Sequence, residues 1–168
     1  PERDSVPLED LVGLPTLYHP DVSPDGETIA VYYDDTGRNE LHLIDRESGE
    51  RTQLTDGEVP RDARWYLRWA ATGDRIFFHA DEAGDEQNDV HAVTLDGDVE
   101  SVVAPAGQAI IQDSTPEFLL YSSDEGTQLN LYRHDFDRDE SVQVTNHDQP
   151  VLEARVGPAG ERIAYVAN

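Results

Sequence analysis

Short apolar runs recur along this chain at a regular interval, and a tight polar turn precedes most of them. Four eleven-residue segments align without gaps, each with an apolar residue, a four-residue turn, two mostly polar residues and an apolar strand. The segments are 22–32, 69–79, 111–121 and 156–166. Their first residues lie 47, 42 and 45 positions apart. This period is typical of one four-stranded blade of a β-propeller.

The turn in the first segment contains the residues that a reversal between two strands requires. Pro24 fixes φ at the second turn position, and Gly26 can adopt the positive φ with which the chain turns back. Gly73 and Gly160 occupy the same place in the second and fourth segments, whereas Thr115 replaces glycine in the third. Hairpin turns are therefore predicted at 23–26, 70–73 and 157–160. The third copy needs a different turn.

Two further strands are predicted to complete each blade, because runs of four to five residues with strand-forming side chains follow at matching distances, separated by acidic turns. The predicted third strands are 41–44, 90–93 and 129–132. The predicted outermost strands are 51–55, 99–103 and 142–145. The fourth copy supplies only two strands, 151–156 and 162–167. The fold class predicted is all-β, a partial β-propeller of four-stranded antiparallel blades with three complete plus half of a fourth, and the first strand of each blade innermost.

The chain divides into a lead-in segment, residues 1–15, and a propeller fragment, residues 16–168. Residues 8–14 have a helical pattern that would make a turn or two before the first blade. The blades are predicted at about 16–56, 63–104, 108–146 and 150–168, the last incomplete. Because blade four ends on its second strand, its unpaired edge predicts self-association through exposed blade edges.

Charge distinguishes this chain from an ordinary β protein. It has 36 Asp and Glu against 12 basic residues, all arginine, and a net charge of -24. The acids are interspersed among β-branched and aromatic runs such as 29–33, so they decorate a folded surface. This lysine-free composition is similar to that of salt-in halophilic archaeal proteins, whose folding needs salt to screen repulsion. Nucleic acid and membrane surfaces are not expected as partners, because both are anionic.

Several residue types are missing altogether. Without cysteine the chain forms neither disulfides nor thiolate metal sites. No apolar run of about 20 residues and no N-terminal signal peptide occur, so a cytoplasmic location is expected. Because the chain begins at Pro1 and contains no methionine, we expect it to be part of a longer product.

Two stretches, 54–78 and 144–165, resemble a known repeat in which Leu-Thr precedes a Trp-Ser-Pro-Asp-Gly turn and an Ile-Ala-Phe strand. This is similar to the WD-like repeat shared by TolB-like proteins and the propeller domain of prolyl-oligopeptidase-family serine peptidases. The resemblance covers residues 15–168, although Ser-Pro-Asp-Gly is intact only at 23–26. The repeat is specific for the fold and not for the function.

The segment 8–26 resembles the lead into the propeller of acylaminoacyl-peptidase and dipeptidyl-peptidase-like members of that family. The resemblance implies an open propeller, commonly seven-bladed, on a C-terminal α/β-hydrolase domain with a Ser-Asp-His triad. It also implies that the propeller admits short peptides and excludes folded proteins. The chain would then be a non-catalytic, haloarchaeal-type propeller fragment that gates a hydrolase domain absent from it. The alternative is a TolB-like scaffold for protein–protein interaction with no attached hydrolase.

The residues themselves do not predict a reaction. The nucleophile elbow Gly-x-Ser-x-Gly is absent, and a phosphate loop ending in Gly-Lys is impossible without lysine. The histidines show no ligand spacing, so we expect them in strand packing or at the surface. They are His19, His42, His79, His91, His134 and His147. No catalytic, cofactor-binding or metal-binding residue is predicted.

Two acidic clusters and one aromatic group remain as candidate sites. Clusters 81–86 and 135–140 offer oxygen ligands for a hard cation, but the second lacks the glycine and distant Glu of an EF-hand loop. Solvated turns are the preferred interpretation. Trp65, Tyr66 and Trp69 could form a peptide-binding platform. Because Trp69 aligns with apolar residues in the other copies, we expect both tryptophans in the blade core.

Overall fold

A computed structural model describes residues 14–62, 64–81 and 87–167. In these ranges the chain forms fourteen β-strands and no helix, so no described helix could cross a membrane. The strands make three four-stranded sheets and one two-stranded sheet, all antiparallel. The predicted all-β partial propeller is confirmed. The predicted helical turn lies at 8–14, almost entirely outside the described residues.

Each sheet is a meander in which every strand pairs with its sequence neighbours. The first blade contains β1 Leu17–Val22, β2 Thr28–Tyr33, β3 Glu40–Asp45 and β4 Arg51–Gln53. The second contains β5 Arg68–Trp69, β6 Arg75–Asp81, β7 Asn88–Thr94 and β8 Val99–Val103. The third contains β9 Ala109–Ser114, β10 Phe118–Ser123, β11 Asn130–Asp135 and β12 Glu140–Gln143. The fourth contains β13 Val151–Val156 and β14 Ile163–Ala167. First strands of neighbouring blades contact each other, β1 with β5 and β9 with β13, so they lie innermost as predicted.

The hairpin turns fall where the sequence predicts them. The Gly26 N–H donates to the Ser23 carbonyl at 2.8 Å, and Gly26 has a φ of 78°. Gly73 and Gly160 make the same bond in their blades, also with positive φ. In the third blade the Thr115 hydroxyl instead accepts the N–H groups of the two residues that follow Pro116. A side-chain acceptor thus replaces the glycine turn.

The predicted outermost strand of the third blade, 142–145, is wrong by two residues. Asp139 adopts a left-handed φ of 53°, and its N–H donates to the Asp135 carbonyl at 3.0 Å. The chain therefore reverses early, and Glu140 already pairs with Asp135. The acidic cluster 135–140 indicates a turn here, but without glycine or proline it does not mark where the chain reverses.

The hydrophobic core lies between the blades. Alternate residues of one strand point to opposite faces of its sheet, so Ile76 and Phe78 pack toward the first blade while Phe77 packs toward the third. In β10, Leu119 packs toward the second blade and Leu120 toward the fourth. Each large side chain buried in this way stabilises the fold by about 1.5–3 kcal/mol. A blade is therefore held mainly by its neighbours.

Candidate functional site

The inner strand of the second, third and fourth repeats is linked to the preceding blade by one backbone N–H at the same repeat position. Trp69, Ile111 and Val156 align with one another, and each donates its N–H to a side chain of the preceding blade at 2.8, 3.0 and 2.8 Å. The acceptors, in the same order, are Asp21, His79 and Asp113. Each blade is thereby held in register against the blade before it.

His79 forms the link between the second and third blades and is almost completely buried. Its Nδ1–H donates to the Tyr66 carbonyl at 3.0 Å, and its Nε2 accepts the Ile111 N–H at 3.0 Å. These two bonds require the neutral ring with its proton on Nδ1. Burial lowers the pKa of His79 to about 4. The Tyr66 hydroxyl donates to the Ile111 carbonyl. The backbone N–H and the backbone carbonyl of Ile111 are therefore both hydrogen-bonded, to His79 and to Tyr66.

The other histidines do not converge on one site. His42, His91 and His134 lie on the third strands of the three complete blades. Burial is the main cause that lowers the pKa of His42 and His134. His19 lies on β1 with a left-handed φ of 51°, at a break in the register with β2. Across the part of the chain that the structure describes, no three His, Asp or Glu side chains are grouped to hold a metal ion.

The acidic cluster at 135–140 lies in a hairpin turn, which its first carboxylate stabilises. One Asp135 carboxylate oxygen accepts the Arg138 N–H at 3.2 Å, and the other lies 3.4 Å from an Arg133 guanidinium nitrogen. These bonds direct the carboxylate into its own hairpin. Of the cluster at 81–86, only Asp81 lies within the described residues.

A cleft of about 690 Å³ opens at the end of the propeller where the inner strands begin. Its walls come from the end of β2, from the segment that joins the first blade to the second, and from the starts of β7 and β9. The residues that give it chemical character are Tyr32, Arg61, Asp62, Arg64, Trp65 and Gln108. A cleft of this size is in the usual range for small-molecule and peptide side-chain sites.

Buried residues fix the joining segment at both ends. Val59 and Leu67 are both buried in the core between the first two blades. The Arg38 guanidinium donates to the Gly57 and Val59 carbonyls, each at 2.6 Å, and is itself held by Glu40 at 2.7 Å. Arg61, Asp62, Arg64 and Trp65 therefore line the cleft from a segment that is anchored at both ends.

The cleft brings two arginines and two aspartates together on a strongly acidic protein. Three of the 12 arginines occur between residues 61 and 68. The exposed guanidinium groups of Arg61 and Arg64 make no ion pair or hydrogen bond with any residue the structure describes, whereas Arg68 lies 3.9 Å from Asp21. Asp62 and Asp81 also border the cleft, so it presents both signs of charge.

The two tryptophans have different environments. Trp69 is buried, as predicted, and its indole N–H donates to the Asp21 carbonyl at 3.1 Å. The core prediction is wrong for Trp65, which is half-buried, lies against His79 with ring centroids 5.4 Å apart, and lines the cleft. Trp65 belongs to the joining segment and not to an inner strand, so the repeat alignment gave no information about it. Three arginines in eight residues were the sequence feature that could have indicated this cleft.

Neither family models nor curated proteins match this chain. Solved structures do match. TolB from Acinetobacter baumannii is 21% identical over 91% of this chain and 38% of its own, with a TM-score of 0.74. A putative TolB from Agrobacterium tumefaciens is 17% identical over 90% of this chain and 55% of its own, with a TM-score of 0.75.

A third solved structure, puromycin hydrolase, is 16% identical over 90% of this chain and 25% of its own, with a TM-score of 0.55. The chain therefore spans between a quarter and about half of the length of these proteins. At such low identity the likeness concerns the fold alone. The chain has the fold of TolB-like β-propellers.

Proposed function

We propose that this chain is the non-catalytic part of a propeller in a serine peptidase of the prolyl oligopeptidase family. The propeller binds short peptides and controls their access to a hydrolase domain outside these 168 residues. The observation that carries the proposal is the cleft of about 690 Å³ where the inner strands begin, with an aromatic wall and two arginines. Such a combination suits a peptide, which presents apolar side chains together with charged or polar groups.

The likeness to puromycin hydrolase supports an attached hydrolase, since this chain overlaps only 25% of that protein. The described inter-blade core also suits a gate. Each blade is held mainly by side chains packed against the adjacent blades, so an open ring can separate at one junction without unfolding its sheets.

The rival function is a TolB-like scaffold that binds proteins and carries no hydrolase. The higher TM-scores of the two TolB structures, 0.74 and 0.75, favour it. The two functions differ in what the longer protein does. A gate requires a following hydrolase domain with Gly-x-Ser-x-Gly, whereas a scaffold requires only further blades.

The test is peptide hydrolysis by the longer protein. Trp65→Ala should raise KM for short peptides several-fold and leave kcat for a small ester unchanged, because a small ester does not need the peptide-binding cleft. Trp65→Phe should restore most of the affinity. Val142→Ala truncates an exposed side chain on the third blade's outermost strand and serves as the control. A longer protein without peptidase activity would contradict the gating function and leave the scaffold.

The isolated chain of 168 residues is expected to lack hydrolase activity toward acyl-peptide and aminopeptidase substrates. Activity that co-purifies with the chain and survives substitution of its serines would contradict the proposal.

A further inference from the structure

We infer that the cleft binds the free C-terminal carboxylate of a short peptide, with Arg61 and Arg64 as the binding residues. This inference rests on the proposed function for the identity of the ligand as a peptide. Arginine suits the task because its planar guanidinium donates two parallel hydrogen bonds to a carboxylate. The cleft that both side chains line is large enough to admit a terminal residue with its side chain.

The distances between arginines and carboxylates elsewhere in the molecule support this assignment. Six described arginines have a carboxylate within 4.0 Å. Arg61 and Arg64 have none among the described residues, although Asp62 lies between them in sequence. In a chain with 36 acidic residues, two adjacent arginines without such partners are available for an external anion. Arg46, Arg155 and Arg162 also lack an ion pair with a described residue, but none of them lines the cleft. Arg46 and Arg162 lie on hairpin turns, and Arg155 donates to the Gln112 and Ala154 carbonyls.

The segment that carries the two arginines contains a backbone hydrogen bond of its own. The Arg64 N–H donates to the Asp62 carbonyl at 2.9 Å, which closes a tight turn within the joining segment. The two arginines also border a second cavity of about 330 Å³, next to Tyr18 and Asn39. Because buried Val59 and Leu67 anchor the segment at both ends, a ligand has less conformational entropy to remove when it binds.

Other cleft residues restrict the kind of anion. Asp62 and Asp81 oppose a second negative charge on the ligand, which disfavours phosphates and acidic peptides. The half-buried ring of Trp65 offers an apolar face beside the arginines, and Gln108 offers an amide. The ligand that fits this arrangement carries one carboxylate and an apolar terminal side chain.

The test compares acetyl-Gly-Phe with its carboxamide by calorimetry, using the intact 168-residue chain in molar KCl. The free acid should bind at least about tenfold more tightly, because a charge-assisted hydrogen bond contributes more than a neutral one. Arg61→Gln with Arg64→Gln should reduce the affinity for the acid to that of the amide. Trp65→Ala should weaken both ligands by the same factor, and Trp65→Phe should restore most of that loss.

The matched control is Arg46→Gln with Arg162→Gln, which removes the same charge outside the cleft and should leave both affinities unchanged. Equal affinity for acid and amide, no binding of either, or equal loss in the control variant would overturn the inference. Competition by inorganic phosphate at concentrations similar to the peptide would also overturn it, since the site would then be a general anion site. Thermal melts establish that each variant is folded.

The outcome is independent of the hydrolase. Selective binding of the free acid by this chain would support the inference even if the longer protein proved to have no peptidase activity. Conversely, peptide hydrolysis with no preference for a free carboxylate would retain the gate and remove the carboxylate site.

Discussion

At two junctions, a side chain of the earlier blade accepts a backbone N–H of the later blade. These are the junctions between the second and third blades and between the third and fourth, and their acceptor groups differ. At the first, the Ile111 N–H is bound by a buried neutral imidazole, that of His79. At the second, the Val156 N–H is bound by the Asp113 carboxylate, beside Arg155, which donates to the Gln112 carbonyl at 3.0 Å. The comparison shows that the repeat fixes the position of the N–H donor, whereas the acceptor differs both in chemical type and in its place in the blade, His79 on β6 and Asp113 on β9.

The two junctions also differ in burial. At the first junction, Ile111 belongs to a continuous hydrophobic core made of residues from the second and third blades. Among the described residues the fourth blade packs against a neighbour on one side only, and Leu152 and Val166 are 49% and 51% exposed. The second junction should therefore open more readily than the first.

Removal of salt should lower the stability of the fold more than any substitution, because it should destabilise both junctions. The net charge of -24 makes surface repulsion large in dilute buffer, and salt screens it. Thermal melts should show Tm rising steeply from low to molar KCl, with the fourth blade lost first. A Tm that is independent of KCl would remove the inference that this is a halophilic protein.

Alanine substitution of the two acceptors tests the junctions individually. His79→Ala should cost about 3–5 kcal/mol, because it creates a cavity and leaves the Ile111 N–H and the Tyr66 carbonyl buried without partners. Asp113→Ala should cost only about 1 kcal/mol, since Val156 is partly exposed and water can replace the carboxylate. Denaturant unfolding at fixed KCl gives both values. Equal costs would show that the junctions are energetically alike.

Acidification should affect the His79 junction specifically. The folded-state pKa of His79 is about 4, below the ordinary value of 6.5, so the unfolded chain binds this proton more readily. The stability due to neutral His79 is complete above about pH 6.5 and is lost as the pH falls toward 4, up to about 3 kcal/mol. His42 and His134 shift in the same direction.

The control for this pH dependence is His79→Gln, which keeps a polar side chain and cannot be protonated. Its unfolding free energy should fall less steeply between pH 6.5 and 4, with the remaining slope due to other groups. An unchanged slope would show that His79 does not set the acid sensitivity.

The smallest effect is expected at the outer edge of the fourth blade. We propose that β14, whose backbone has no further strand beside it among the described residues, pairs with a second copy in molar salt. Val166→Glu should weaken this association, because it places a charge on the exposed face. Val142→Glu on β12 is the control. A chain that light scattering shows to be monomeric at high concentration would contradict the proposal.

The sequence was sufficient to predict the sheets because their signals are local. Gly26 and the apolar run that follows it define a hairpin within eleven residues. The links between blades could not be predicted in this way, because His79 meets Tyr66 and Ile111 only after the blades pack. The exposure of Trp65 and the grouping of the neighbouring arginines could not be predicted for a related reason. These residues lie between the repeats, where no alignment exists.

The direction of the inter-blade link has a consequence for biosynthesis. In all three links the acceptor side chain belongs to the blade nearer the N-terminus, and the donor belongs to the blade that follows. As the chain leaves the ribosome, each new inner strand therefore meets an acceptor that has already been made. For these three links, folding can therefore proceed from the first blade toward the last.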